Sequence, residues 1–210
     1  MYGLFGIRKS NYAEIIPFTD PYQHPKVGKD MVAVYRSVFT EHPWNEGLQC
    51  PKCRAMYHRR TRMEFCGSTD CKMLSVLLVE PWTVSRVTSD IYRETTTDGA
   101  KCFLAYRRKR LVGSAWGYPK TISEKLAQEL DAPGLHEQLQ GTYLYVDEVA
   151  VLPKHRRNGI ATRMFAKIIE GEGAKVFLRT HKNSPMRTLG EKAGLKVIQS
   201  ISRDRVMMAF

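Results

Sequence analysis

Apolar and polar residues follow two different periods along the stretch 142–169, and together they predict a strand followed by a helix. Residues 143–152 are mostly apolar, β-branched or aromatic, which is typical of a buried strand, and Pro153 ends it. From Ile160 onward, apolar pairs recur four residues apart, which places them on one face of a helix. A short basic segment, 154–161, with one glycine, Gly159, joins the two elements.

The same reading along the rest of the chain predicts further helices and strands. A helix capped by Asp30 runs to about Thr40, and another covers residues 83–94. A short helix at 123–130 lies in a polar link, and Asn183-Ser184-Pro185 opens the last helix. Residues 74–79 fit either a short strand or the start of a helix. The remaining predicted strands are 14–18, 101–107, 111–118, 175–180, 196–202 and 205–210, with the basic turn 108–110 inside a hairpin.

The segment 154–161 has the composition of an anion site. The first amides of a helix have no internal partner and carry partial positive charge. Gly159 lets a ligand approach the backbone, and Arg156 and Arg157 add charge suited to phosphate oxygens. A phosphate on the amides of residues 157–162 is one interpretation; a basic turn without a ligand is the other.

These residues also resemble a known motif. Val149-Ala150-Val151-Leu152-Pro153, followed by Arg156-Arg157-Asn158-Gly159-Ile160-Ala161, is similar to the V-A-V-x-P strand end and the R/Q-x-x-G-x-G/A loop of the GNAT N-acetyltransferases. The resemblance covers about residues 10–210 and implies a single domain, 1–210, of α/β (α+β) class. The implied fold is a mixed central sheet of about six to seven strands flanked by helices.

The resemblance implies acetyl-CoA as the cofactor. Its pyrophosphate would lie on the loop, and its pantetheine arm would pair with the backbone of the strand end. Such pairing needs a gap in the sheet, so the next strand should splay away. The implied contacts are Val149, Ala150, Val151, Arg156, Arg157, Asn158, Gly159, Ile160, Ala161 and Thr162, with Asn183 on the coenzyme arm.

The implied reaction moves the acetyl group to a primary amine by direct attack, which needs a base. Asp147 and Glu148 lie on the predicted strand, and a buried carboxylate has a raised pKa that suits a general base. Alternation along the strand predicts that Asp147 shares a face with Tyr145, Val149 and Val151, whereas Glu148 points to the other face. Either carboxylate could be the base; an acidic pair that neutralises the nearby arginines is the alternative.

The last helix departs from the family pattern. Gly190 stands where the family usually has the tyrosine that protonates the coenzyme thiolate. His181 and Tyr145 are candidate substitutes, and a thiolate leaving without a donor is the other option, because a thiol pKa is only about 8.5. This departure supports an alternative function, a coenzyme-binding scaffold with weak catalysis.

Composition sets the broad class. Hydrophobic residues make up 43% and charged residues 26%, as in globular proteins. No apolar run approaches the roughly 18 residues of a membrane helix, and the N-terminus is too short and broken for a signal peptide. We therefore expect a cytoplasmic protein without membrane contact. The net charge of +12 favours anionic partners and argues against polycationic acceptors. Family members often dimerise, and the sequence leaves a homodimer open.

Four cysteines form a separate pattern. Cys50, Cys53, Cys66 and Cys71 are spaced C-x2-C-x12-C-x4-C. Paired cysteines at such spacing predict a closed, structural Zn²⁺ site in an insertion, residues 50–72, between the first two helices. Two disulfides or unligated thiols are the alternatives. The fifth cysteine, Cys102, is expected to be a small buried apolar residue.

The insertion, which we call the cysteine segment, is basic. Six positive residues stand against Glu64 and Asp70. With Tyr57 and Phe65 among them, the segment could contact nucleic acid or an acidic protein, or only hold a loop. Just before it, Trp44 is either an acceptor contact or a buried anchor.

Overall fold

The computed structural model describes residues 12–42, 44–58, 65–69, 71, 76–173, 175–201 and 204–210. The strands are β1 (Glu14–Pro17), β2 (Leu48–Gln49), β3 (Met56–Tyr57), β4 (Lys101–Arg107), β5 (Arg110–Ile122), β6 (Gly141–Val151), β7 (Val176–His181), β8 (Lys196–Ser200) and β9 (Arg205–Ala209). The helices are α1 (Pro25–Phe39), α2 (Val84–Thr95), α3 (Glu124–Glu129), α4 (Leu135–Gln138), α5 (Ile160–Ile169) and α6 (Pro185–Lys192).

A seven-stranded mixed sheet divides the protein into two layers. The strand order is β1-β4-β5-β6-β7-β9-β8, and every neighbouring pair is antiparallel except β6 and β7. Helices α1 and α2 pack against one face, and α5 and α6 against the other. The predicted fold class and element order are confirmed.

The helices bury the faces that their sequence periods predict. In α5, Ile160, Met164, Phe165 and Ile168 are buried against the sheet. The side chains of Thr83, Ser123 and Ser184 accept backbone hydrogen bonds at the starts of α2, α3 and α6. Among the described helices, none is both long and apolar enough to cross a membrane.

Three predicted boundaries were wrong. Helix α1 begins at Pro25 rather than at Asp30, because proline has a helical φ and needs no hydrogen bond for an amide in the first turn. The strand predicted to end at residue 118 continues to Ile122, since residues 118–122 pair with the first half of β6. The hairpin turn is also shorter than predicted: Arg108 and Lys109 form it in the left-handed region, and Arg110 is already in the strand.

Three other predicted features fall partly outside the described residues. In the segment 74–79, residues 74 and 75 are not described, whereas Leu77 and Val79 form isolated bridges with Phe65 and Gln49. The strand predicted at 196–202 is observed to Ser200, and residue 202 is not described. The predicted turn at 203–204 is described only at residue 204.

Strands β6 and β7 pair over only a short stretch. Their parallel register joins Leu144, Tyr145 and Val146 to Val176, Phe177 and Leu178. The second half of β6, from Asp147 to Val151, is bonded to β5 alone among its described strand neighbours. The predicted gap in the sheet is therefore confirmed, and one backbone edge of β6 is open at its carboxyl end.

A β-bulge interrupts β6 at Asp147. Trp116 of β5 pairs with Glu148, and the next residue, Gly117, pairs with Val146, so Asp147 is the extra residue. After the bulge, each side chain points to the face opposite to the one that strict alternation would give it. Val146 packs on the α5 side before it, and Val149 packs on that same side after it.

Candidate functional site

A cleft of about 640 Å³ opens where β6 and β7 separate. Its first wall is the end of β6 with the following loop and the start of α5. The second wall is β7 with the start of α6, and Val38, Phe39, His42 and Trp44 form the third. A single cavity therefore joins the basic loop to the carboxylates of β6.

The loop after β6 is held open by its own contacts. Gly159 has φ +68° and Arg157 has φ +62°, so both lie in the left-handed region. The Asn158 side-chain amide donates to the carbonyls of His155 (3.2 Å) and Arg156 (3.0 Å), which fixes the turn. No side chain caps α5, so its first amides are free to receive an anion.

Most of the residues predicted to bind the coenzyme line this cleft. They are Val149, Val151, Arg156, Arg157, Gly159, Ile160, Ala161, Thr162 and Asn183. Ala150 is wholly buried in the opposite core layer, so only its backbone can serve the open edge of β6. Asn158 turns its side chain back onto the loop, and Arg156 Nε donates to the Val151 carbonyl at 3.1 Å.

The bulge places both candidate bases on the face of β6 that meets α1 and α2. Burial, with the charge of Asp147 next, raises the pKa of Glu94 of α2, and burial, with the charge of Glu148 next, raises the pKa of Tyr35 of α1. The prediction that Asp147 shares a face with Val149 and Val151, opposite Glu148, was wrong, because strict alternation holds only in a strand without a bulge.

Glu148 is a buried carboxylate with one oxygen that lacks a hydrogen-bond partner among the described residues. It is 4% exposed, it lines the cleft, and its Oε1 makes no hydrogen bond within the described part of the chain. Burial, together with the charges of Asp147, Glu46 and Glu94, raises the pKa of Glu148 well above its usual range. A basic amine entering the cleft would reduce the free-energy cost of ionising Glu148, because it supplies positive charge and hydrogen bonds.

Two buried carboxylates behind the site were not predicted from the sequence. Burial, with the charge of Asp147 next, raises the pKa of Glu94 to about 8, and Trp116 Nε1 donates to Glu94 Oε2 at 2.9 Å. Glu46 is 3% exposed. A signal for Glu94 was present, because it continues the apolar stripe of Val87 and Ile91 on α2.

Gly190, at the position of the missing tyrosine, is buried against the sheet. A Cβ placed there would lie 3.2 Å from Met208 Cε and 3.9 Å from Leu178 Cδ2. Neither suggested substitute lines the cleft: Tyr145 is buried against Phe177, with ring centroids 4.8 Å apart. His181 Nδ1 accepts the Asn183 amide at 3.1 Å, outside the lining.

Trp44 is both a lining residue and an anchor. Its ring packs on Phe39, with centroids 5.1 Å apart, and meets His181 edge-on at 6.1 Å. The Arg205 guanidinium lies 6.0 Å from its ring. We call Phe39, His42 and Trp44, which all line the cleft, the acceptor wall.

The four predicted metal ligands converge in space. The sulfur atoms of Cys50, Cys53, Cys66 and Cys71 all lie within 4.8 Å of one another. The Cys50–Cys71 and Cys53–Cys66 sulfurs are 3.8 and 3.5 Å apart, whereas a disulfide bond would need about 2 Å. Tetrahedral Zn²⁺ with sulfur at about 2.3 Å requires separations of about 3.8 Å. Cys102 lies elsewhere, buried in β4, as predicted.

The basic character of the cysteine segment lies mainly outside the described residues. Residues 59, 60, 62 and 72, which supply four of its positive charges, and the acidic residues 64 and 70 are not described. The predicted contact with nucleic acid or an acidic protein therefore stays a prediction from sequence.

The chain matches a known protein family. A sequence model described as the acetyltransferase (GNAT) family matches residues 70–194, more than half of the chain. This range includes β6, the basic loop, α5 and α6. No curated protein matches the chain.

Solved structures share the fold at low sequence identity. The protein PH1933 from Pyrococcus horikoshii OT3 aligns with a TM-score of 0.54 at 16% identity, covering 93% of this chain and 97% of its own. The PaiA N-acetyltransferase from Thermoplasma acidophilum, solved in complex with coenzyme A, aligns with a TM-score of 0.51 at 13% identity, with coverages of 93% and 97%.

Proposed function

Because the chain belongs to the acetyltransferase (GNAT) family, we propose that it transfers the acetyl group of acetyl-CoA to a primary amine by direct attack. The observation that carries the proposal is the single cleft that joins an anion-binding loop to the buried carboxylate of Glu148. Neither half alone would indicate transfer. Together they provide a place for the diphosphate and a base for the acceptor.

The loop and the open strand edge fit the coenzyme. The left-handed backbone at Arg157 and Gly159 opens the amides at the start of α5, and no atom lies within 4 Å of a Cβ at Gly159. The unpaired edge of β6 offers amide and carbonyl groups to an extended amide-containing arm. When bound, the coenzyme supplies the activated acetyl thioester.

In the proposed reaction Glu148 takes one proton from the attacking nitrogen. The N–C bond forms as the C–S bond breaks, and the thiol sulfur leaves with the electron pair. The raised pKa of Glu148 makes its carboxylate a better proton acceptor than an ordinary glutamate. Asp147 is the alternative base, since it also lines the cleft.

The test is thiol release from acetyl-CoA with a panel of primary amines, combined with calorimetric titration of coenzyme A. We expect saturable coenzyme binding and amine-dependent release that is lost in Glu148→Gln. Binding without release from any amine would instead support the coenzyme-binding scaffold with weak catalysis. Absence of binding would contradict both.

We also propose that the four cysteines hold one structural Zn²⁺, because their sulfur spacing fits tetrahedral thiolate coordination and four protein ligands leave no open position. The Tyr57 hydroxyl lies 3.2 Å from Cys66 Sγ and lowers the pKa of that thiol to about 6, which favours the thiolate form. Cytoplasmic location and a homodimer stay predictions.

Metal analysis should find about one Zn²⁺ per purified chain. We expect Cys53→Ser to lose the metal and to lower the melting temperature by several degrees, since the segment has little core of its own. Cys102→Ala, which removes a thiol outside the cluster, should keep full metal content. Metal-free protein with an unchanged melting temperature would contradict the structural role.

A further inference from the structure

We propose that the metal-bound cysteine segment holds the acceptor wall in position, and that Glu46 is the residue through which it does so. The idea rests on the proposed acetyl transfer for its functional meaning. The structural part of it, an ordered link from the cysteines to Trp44, stands on contacts in the described residues.

The chain enters and leaves the cysteine segment at one point. Trp82 Nε1 donates to Glu46 Oε2 at 2.8 Å, across 36 positions of sequence. Nearby, Gln49 and Val79 exchange two backbone hydrogen bonds of 2.7 and 2.9 Å. The Gly47 amide also donates to the Tyr57 carbonyl at 3.1 Å. Residues 46–49, before the segment, are therefore tied both to residues 79–82, after it, and to the β2–β3 hairpin that carries Cys50 and Cys53.

Glu46 connects this point to the main sheet. Its Oε1 accepts from Arg205 at the start of β9, while its backbone amide donates to the Phe39 carbonyl at 2.9 Å. Both oxygens of this buried carboxylate thus accept from half-buried donors. Removing the carboxylate would leave the Arg205 guanidinium and the Trp82 N–H without their partner, which is costly in a buried position.

The acceptor wall lies directly beside this connection. Trp44 is two residues before Glu46, and its ring packs between Phe39 and the Arg205 guanidinium. Because Arg205 is held by Glu46, displacement of Glu46 removes one support of the Trp44 ring. The coenzyme side of the cleft, in contrast, is built by β6 and α5 from a later part of the chain.

Metal binding supplies the order that the segment lacks. Strands β2 and β3 have two residues each and bury no core of their own. Without the thiolate cross-links, the long connection between Glu46 and Trp82 would be closed by few contacts, against the entropy of a free loop. Loss of metal should therefore loosen Glu46 before it affects β6.

Hydrogen–deuterium exchange of the full chain tests this link without any acceptor. After zinc removal by a chelator, and separately in Glu46→Gln, we expect at least about tenfold faster amide exchange over residues 39–49. Exchange over 144–165 should stay unchanged. Equal acceleration in both regions, or no acceleration over 39–49, would overturn the proposal. Glu80→Gln is the matched control, because Glu80 is an exposed carboxylate on the same stretch that pairs with Arg36.

Enzyme kinetics then test whether the contacts of Glu46 affect binding of the acceptor amine. For whichever amine gives thiol release in the panel, we expect KM for the amine to rise about tenfold in Glu46→Gln. The Kd for coenzyme A should stay within twofold. Trp82→Phe keeps an aromatic ring and removes only the N–H donor. We therefore expect a smaller rise in KM for the amine, again with little change in the Kd for coenzyme A. A rise in the coenzyme Kd equal to that in amine KM would contradict a positioning role. If no amine gives thiol release, that result counts against acetyl transfer. The hydrogen–deuterium exchange result alone then decides whether the cysteine segment orders the acceptor wall.

Discussion

Replacing Gly159 by aspartate should lower the affinity for coenzyme A by at least about a hundredfold, close to 3 kcal/mol. The substitution adds a carboxylate at the first amides of α5, where a diphosphate would lie, and repulsion between two anions at this distance is strong when water is excluded. It also adds a Cβ at φ +68°, a left-handed conformation that costs about 1–2 kcal/mol for most residues other than glycine and less for aspartate. Calorimetry at low ionic strength measures the effect.

Gly171 provides a matched control. It lies just past the other end of α5 and has φ +83°, and apart from its chain neighbours no described residue has an atom within 4 Å of a Cβ placed there. Gly171→Asp therefore introduces similar backbone strain and the same charge, but far from the anion site. We expect its coenzyme affinity to stay within about twofold of the parent. Equal losses in the two variants would show that strain in α5, rather than the anion site, determines binding.

The part of the site that could be predicted is the part encoded in one continuous stretch. Residues 143–169 carry a strand period, a helix period and a glycine between them, and β6 and α5 are observed where these periods change. The spacing of the four cysteines predicted that their sulfur atoms converge for the same reason, since ligand spacing is a local property of the sequence. Each signal needs no knowledge of which distant segments pack together.

The features that could not be predicted depend on contacts between distant segments. The bulge at Asp147 arises from the register between β5 and β6, and no residue type at that position announces it. Glu46 is fixed by Trp82 and Arg205, which are far away in sequence. The start of α1 differs from the prediction for a local reason: Pro25 has the φ of the first helical turn, and Asp30 lies inside the helix instead of capping it.

The net charge of the chain and the charge of the carboxylates in the cleft have opposite signs. The chain carries a net charge of +12, which argues against polycationic acceptors. Yet burial, together with the charges of Asp147, Glu46 and Glu94, raises the pKa of Glu148 inside the cleft, and burial with the charge of Asp147 raises the pKa of Glu94. A basic surface can attract the coenzyme while a buried acidic floor receives an amine, since charges inside the protein are screened less than those outside.

Replacing Glu148 by glutamine should reduce kcat/KM for the amine by about a hundred- to ten-thousandfold, the usual contribution of a general base. Glutamine keeps the shape and the burial of the side chain but cannot accept the proton. Asp147→Asn is the paired variant: a much smaller loss there would assign the base to Glu148, and the reverse order would assign it to Asp147. Coenzyme affinity should stay within about twofold in both, because neither residue belongs to the loop.

The pH profile separates the base from a merely structural carboxylate. Burial raises the pKa of Glu148, so the ionised, competent form accumulates only as the pH rises through that raised value. We therefore expect kcat/KM of the parent to increase with pH over this interval and to be low in acid. In Glu148→Gln this limb should disappear, leaving only the slope that comes from deprotonation of the amine itself. A variant that is slower but keeps the parent's full profile would show that Glu148 supports the site without taking the proton.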